Sequence, residues 1–163
     1  MNPFIEVRQA LEADIPRILG IEREAEVAAH FAETDYRRAV ASDASEVRRI
    51  VLVAEATGSV QGFLIARFLH EEWEIENVAV AKAARKLGFG ARLVNAFLQS
   101  SNCSIFGMND ARTEAEPVFL EVRESNLAAR KLYEKFGFAI TGRRTAYYRN
   151  PQEDAISYRY SFQ

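Results

Sequence analysis

A chain of 163 residues, 48% hydrophobic with 8 Gly and 4 Pro, is long enough to close a full core and predicts one domain over 1–163. Its net charge of −2 and pI near 5.8 argue against a nucleic-acid reader, which shows a basic face, and no apolar run approaches the ~20 residues of a membrane span. The opening "MNPFIEVRQALEAD" lacks the basic-then-apolar pattern of a secretion signal, and the single Cys103 has no partner for an internal disulfide, so a cytoplasmic protein with no membrane or nucleic-acid partner is expected.

In chain order, "FIEVR" reads as a first strand. Asp14 and Pro16 open a helix whose Ile15, Ile18, Leu19 and Glu22 fall on one stripe, and a second short helix follows Thr34. "RIVLVAEA" and "VQGFLIARFL" flank "TGS", a turn of hairpin length, and "WEIENVAV" adds a third consecutive strand. A helix burying Phe89, Leu93, Val94, Phe97 and Leu98 follows, then a polar loop over 100–116. The strand "PVFLEV", a helix "NLAARKLYEKF" capped by Ser125 and ended by Gly137, and the strands "FAIT" and "DAISYRYSF" complete the chain. The pattern is a mixed α/β sheet, antiparallel at first and with helical crossovers later. Charge is uneven: residues 1–46 hold ten acids and five bases, an excess of −5 that would favour a cationic partner, and the remaining residues carry +3.

Between the third strand and its helix lies "ARKLGFGARLV". A helix start offers unpaired N–H groups and partial positive charge, and Gly88 and Gly90 would let an anion approach bare backbone, with Arg85 and Lys86 adding fixed charge. The Walker pattern is excluded because no Gly-Lys-Ser/Thr follows, and GxGxxG fails at Leu93. A phosphate site and a plain Gly-rich helix start both fit these residues. In "PVFLEV", Val118, Leu120 and Val122 share one face of the strand while Glu121 shares the other with Phe119. A carboxylate among apolar neighbours is either ion-paired with an arginine or functional. Tyr133, on the next helix, fits core packing as well as a site.

The succession of strand, Arg-x-x-Gly-x-Gly and helix, then "LEVRESNLAARKLYEKFGF", resembles the GNAT superfamily of acetyl-CoA-dependent N-acetyltransferases over essentially the whole chain. "RRTAYYRNPQEDAISY" makes the likeness closer to the ribosomal-protein alanine N-acetyltransferases of the RimI subfamily, which share the paired tyrosines and the Glu-Asp-Ala ending. The resemblance implies the GNAT fold, with a splayed parallel pair of strands at the CoA site. It implies that the backbone of Val78, Ala79 and Val80 pairs with the pantetheine arm. The loop of Lys86, Leu87, Gly88, Phe89, Gly90 and Ala91 would cradle the diphosphate with Arg85 at its entrance, and Asn126 would contact CoA. Glu121 takes the place of the proton acceptor and Tyr133 that of the proton donor, with Tyr147 or Tyr148 facing the acceptor pocket.

On this reading acetyl passes directly from acetyl-CoA to the α-amine, expected to be alanine, at the N-terminal peptide of a ribosomal protein. Cys103 carries no acetyl group, and His30 and His70 are too isolated for a metal site. A small amine or a lysine side chain as acceptor, a CoA-binding subunit without turnover, and a general α/β binding module are the alternatives. The chain departs from many relatives in lacking a Pro-Trp pair after the first helix, where "EVAAHFAETDYRR" places His30 and Phe31, and its 100–116 loop is longer. The run "EEWEIE" reads as a solvated acidic edge that would also attract a basic peptide.

Overall fold

Thr57 and Gly58, with φ of 52° and 74°, join the two longest early strands by a two-residue turn, the left-handed pair that matches the twist of a hairpin. In the computed structural model, which describes residues 3–25, 30–41, 47–102 and 116–163, these strands are β2 (Arg48–Ala56) and β3 (Ser59–Leu69). Before them come β1 (Glu6–Gln9), α1 (Ile15–Glu24) and α2 (Glu33–Ala41). After them come β4 (Glu72–Val80), α3 (Phe89–Asn102), β5 (Val118–Arg123), α4 (Leu127–Lys135), β6 (Ala139–Arg149) and β7 (Gln152–Tyr160). The strands form one seven-stranded sheet in the order β1-β2-β3-β4-β5-β7-β6. Only β4 and β5 run parallel, joined by a crossover that includes α3; the other neighbours are antiparallel.

The core follows the apolar periods. Ile15, Ile18 and Ile21 of α1, Phe63, Leu64 and Ile65 of β3, and Phe89, Leu93, Val94, Phe97 and Leu98 of α3 are all buried. Leu19 is only half-buried, and Glu22, which shares the α1 stripe, is 3% exposed. A carboxylate so deep needs donors. Tyr36 Oη donates to Glu22 Oε1 at 2.7 Å and the Phe31 N–H donates to the same oxygen at 3.1 Å, while Phe31 packs edge-on against Tyr36. Burial first, and then Glu22, hold the Tyr36 phenol protonated well above its ordinary range. Tyr36→Phe removes a donor to a buried charge, and equilibrium urea unfolding should show a loss of about 1.5–3 kcal/mol.

Several local expectations change. The α3 helix runs on to Asn102, so a loop over 100–116 starts too early; residues 103–115, with Cys103, lie outside the described residues. The α4 cap is Asn126, not Ser125: its side chain accepts from the Ala129 N–H at 3.2 Å. At the other end Gly137, with φ 95°, donates to Glu134 O at 3.0 Å and Phe138 donates to Tyr133 O at 3.1 Å. Those are the two bonds of a Schellman stop, and its usual apolar contact is the Tyr133–Phe138 ring pair. The "FAIT" strand is the start of the longer β6.

The run "EEWEIE" divides: Glu71 and Glu72 are exposed, as a solvated edge would be, while Glu74 and Glu76 are ion-paired. Arg67 Nε donates to Glu74 at 2.7 Å, and Arg49 holds both oxygens of Glu76 at 2.9 and 3.2 Å, with the Glu76 side chain 8% exposed. Three N-terminal acids are paired within their own segment, Asp14 with Arg8, and Glu12 and Glu33 with Arg37, which leaves the −5 excess of residues 1–46 as it stands. Glu76 also marks a break in the sheet. Ile65 pairs with Asn77 and Ala66 with Ile75, which leaves Glu76 as an extra residue in β4. The parallel pairing of β4 with β5 covers only Trp73↔Val118, Glu74↔Phe119 and Ile75↔Leu120. The bulge therefore sits where the two strands stop pairing, and both continue beyond it without one another.

Candidate active site

Beyond the bulge, Val78 and Val80 are half-buried on one face of β4 while Ala79 is buried on the other. Their backbone pairs with β3 on one edge, Leu64↔Val78 and Gly62↔Val80, and with no strand on the edge toward β5. The chain then turns into α3 through Lys86 and Gly88, both left-handed with φ of 65° and 94°. The first backbone bond at the start of α3 is Arg92 N–H to Gly88 O at 3.0 Å. Among the described residues, no acceptor pairs with the N–H groups of Lys86, Leu87, Gly88, Phe89, Gly90 or Ala91. A run of open amides at the start of a 14-residue helix is the chemistry of an anion cradle.

The residues of this loop divide by job. Gly88 has open space around it, with Ile5 the nearest atom at 4.0 Å, so its glycine is explained by its φ. Gly90 is explained by packing: a Cβ there would stand 3.3 Å from Leu132 Cδ2 of α4 and 3.9 Å from Val80 Cγ2. Phe89 is a core residue, 2% exposed, and Leu87 is exposed. Arg85 is occupied: Nε donates to Val80 O at 3.3 Å and Nη2 to Glu24 O at 3.1 Å, so it ties the loop to the end of α1. Asn126 uses Oδ1 as the α4 cap, which leaves its NH₂ as a donor.

On the other side of the gap stands Glu121. Arg144 Nε lies 3.0 Å from Glu121 Oε1, and Ser157 Oγ donates to the same oxygen at 3.4 Å. Of the two readings the strand pattern left open, the arginine pair is thus present. Tyr147 and Tyr148 meet edge-on at 5.2 Å, with Arg144 over the first ring at 5.2 Å and Arg123 over the second at 4.2 Å. Burial first, and then the Glu121 carboxylate, raise both phenols, that of Tyr148 to about 12. Tyr133 is buried, and burial with neighbouring Tyr148 lifts its phenol further. Glu121, Tyr133, Tyr147 and Tyr148 therefore share one electrostatic neighbourhood, and Leu132, next to Tyr133, contacts Gly90 of the loop.

The tyrosines reach Glu121 through a second irregularity. In the β6–β7 register Arg144 faces Ala155 and Tyr148 faces Glu153, so three residues of β6 stand opposite Asp154 alone. Asp154 Oδ1 accepts the Ala146 N–H at 2.9 Å and Oδ2 accepts from Arg143 at 2.9 Å, while Ala146 is left-handed at φ 52°. Arg123, Arg144, Asp154 and Ser157 are site residues that sequence reasoning missed. The Glu-Asp-Ala run after the tyrosines was the available signal. His30 is exposed and Phe31 is anchored to Tyr36, and among the described residues no three His, Cys, Asp or Glu gather to hold a metal ion. No described helix is long and apolar enough to cross a membrane.

Comparison with known proteins accords with this geometry. An N-alpha-acetyltransferase of Sulfurisphaera tokodaii is 32% identical over 108 residues, 57% of this chain and 58% of that protein. A provisionally named ribosomal protein bS18-alanine N-acetyltransferase of Bacillus subtilis is 30% identical over 105 residues, 64% of each chain. These matches span less than two thirds of the relatives' own length. The crystal structure of the ribosomal-protein-S18-alanine N-acetyltransferase from Escherichia coli superposes with a TM-score of 0.77 at 26% identity, covering 97% of this chain and 94% of that one. Residues 15–138 match the Acetyltransferase (GNAT) family, and the chain, with its mixed sheet and single parallel pair, belongs to that family.

Proposed function

We propose that the protein transfers acetyl from acetyl-CoA to the N-terminal α-amine of a protein, with a ribosomal protein beginning in alanine as the acceptor. The observation that carries this reading is the pairing of two half-sites across the β4–β5 gap: open amides from Lys86 to Ala91 on one side, and Glu121 with its tyrosines on the other. The amides and Gly88 would hold the diphosphate. The edge of Val78, Ala79 and Val80 that pairs with no described strand would hold the pantetheine arm, and the NH₂ of Asn126 would supply a further donor. When bound, acetyl-CoA supplies a thioester carbonyl open to attack.

Glu121 then removes a proton from the acceptor. An α-amine has a pKa of about 7.7–8.0 against about 10.4 for lysine, so a carboxylate deprotonates the chain end far more readily. Tyr133, kept protonated by burial, offers its O–H to the sulfur as it takes up charge, and a backbone N–H of β4 stabilises the carbonyl oxygen. Tyr147 and Tyr148 border the acceptor's first side chain. Mass spectrometry of a peptide panel incubated with acetyl-CoA tests this. Acetyl is expected on the α-amine of peptides beginning with Ala. Acetyl confined to lysine or to small amines would replace the acceptor, and CoA binding without any product would leave a non-catalytic CoA-binding protein.

A further inference from the structure

The Glu121 carboxylate is occupied by a cation that belongs to the protein. Arg144 reaches it from β6, the outermost strand of the sheet, with Nε at 3.0 Å, and its side chain is 59% exposed against 22% for Glu121. The guanidinium also lies over the Tyr147 ring at 5.2 Å, and no other carboxylate among the described residues holds it. Its neighbour Arg143 differs in being fixed by both Glu124 and Asp154, and Arg123 is bonded to Pro151 O and paired with Glu153. Arg144 is thus the one arginine of the cluster whose only carboxylate is Glu121.

We propose that Arg144 is an acceptor-selecting residue: it fills the seat on Glu121 that an incoming ammonium takes, and acceptor binding exchanges one cation for the other. This rests on the transferase reading above. The exchange keeps the charge around Glu121 constant, because one positive group leaves as one arrives. The released guanidinium turns away from Glu121 into water, which is available at an exposed edge strand. Neutral molecules have nothing to offset the lost ion pair, so the seat discriminates in favour of ammonium-bearing acceptors. The cost of displacing Arg144 is that of a part-exposed ion pair, small enough for an acceptor to overcome.

The test uses an Ala-leading peptide with the full chain and its Arg144→Gln, Arg144→Lys, Glu121→Gln and doubly substituted Glu121→Gln/Arg144→Gln forms. Arg144→Gln should lower the acceptor KM roughly two- to fivefold and leave the acetyl-CoA KM unchanged, while Arg144→Lys stays near the parent. Calorimetric titration of the peptide in the presence of CoA should show the same tightening without turnover, and none when Glu121 is already Gln. An acceptor KM that rises in Arg144→Gln, or two KM values that move together, would overturn the exchange. Tighter peptide binding by Arg144→Gln with no acetylated product would keep the exchange and sink the transferase reading. Product formation with unchanged binding would do the reverse, and neither product nor binding would remove both.

Discussion

Replacing Glu121 by Gln should cut turnover of an Ala-leading peptide by roughly 10²- to 10⁴-fold while acetyl-CoA binding stays the same, the signature of a lost general base. The substitution is nearly isosteric, and the glutamine oxygen still accepts from Ser157 and Arg144, so the strand's neighbours keep their places. Tyr133→Phe should fall in the same range through kcat. The Tyr133 ring is held by the Schellman turn and by Phe138, contacts that phenylalanine retains, so a loss of rate reports the hydroxyl and not the packing. Because burial raises the phenol, Tyr133 stays protonated across the assay range, and an alkaline limb below pH 10 belongs to another group. Steady-state kinetics with calorimetry on the same samples decide the matter: a Glu121→Gln enzyme at full rate would falsify the base assignment. Cys103→Ser should leave the rate intact, and abolished activity there would indicate an acetyl-enzyme instead.

The second large effect is on cofactor affinity. Gly88→Asp should weaken acetyl-CoA binding by roughly 10- to 100-fold, equivalent to about 1.4–2.8 kcal/mol, because a carboxylate would stand among the amides proposed to hold the diphosphate. The fold should survive: the position is open, and a non-glycine residue at φ 94° costs about 1–2 kcal/mol, which is less than the protein's expected stability. Gly90→Asp is a poorer probe than the glycine pattern suggests. Its Cβ would press on Leu132 at 3.3 Å, so a change in affinity there would mix anion repulsion with a displaced α4. Unchanged calorimetric affinity in folded Gly88→Asp would remove the phosphate-cradle assignment.

What the sequence by itself determined is what each segment does with its own neighbours. The apolar runs of β2 and β3, the alternation of β4, the α3 stripe from Phe89 to Leu98, the Thr57-Gly58 turn and the glycine at 88 are local, since period and backbone freedom are properties of a few consecutive residues. Glu121 and Tyr133 stood out locally with two readings each, and only the family resemblance gave them and Asn126 expected roles. Tertiary structure decided everything that needed a partner far along the chain. The parting of β4 from β5 depends on a bulge at Glu76 that two arginines of other strands hold. Gly90 is bare because Leu132, far along the chain, is there. Glu74 and Glu76 of "EEWEIE" are paired with arginines of β2 and β3 brought to them by the sheet. Tyr147 and Tyr148 reach Glu121 only because Asp154 holds a three-residue swelling in β6, which also brings Arg144 to the carboxylate. Strand register set these pairings, and register follows from the packing of the whole sheet, which no window of the sequence contains.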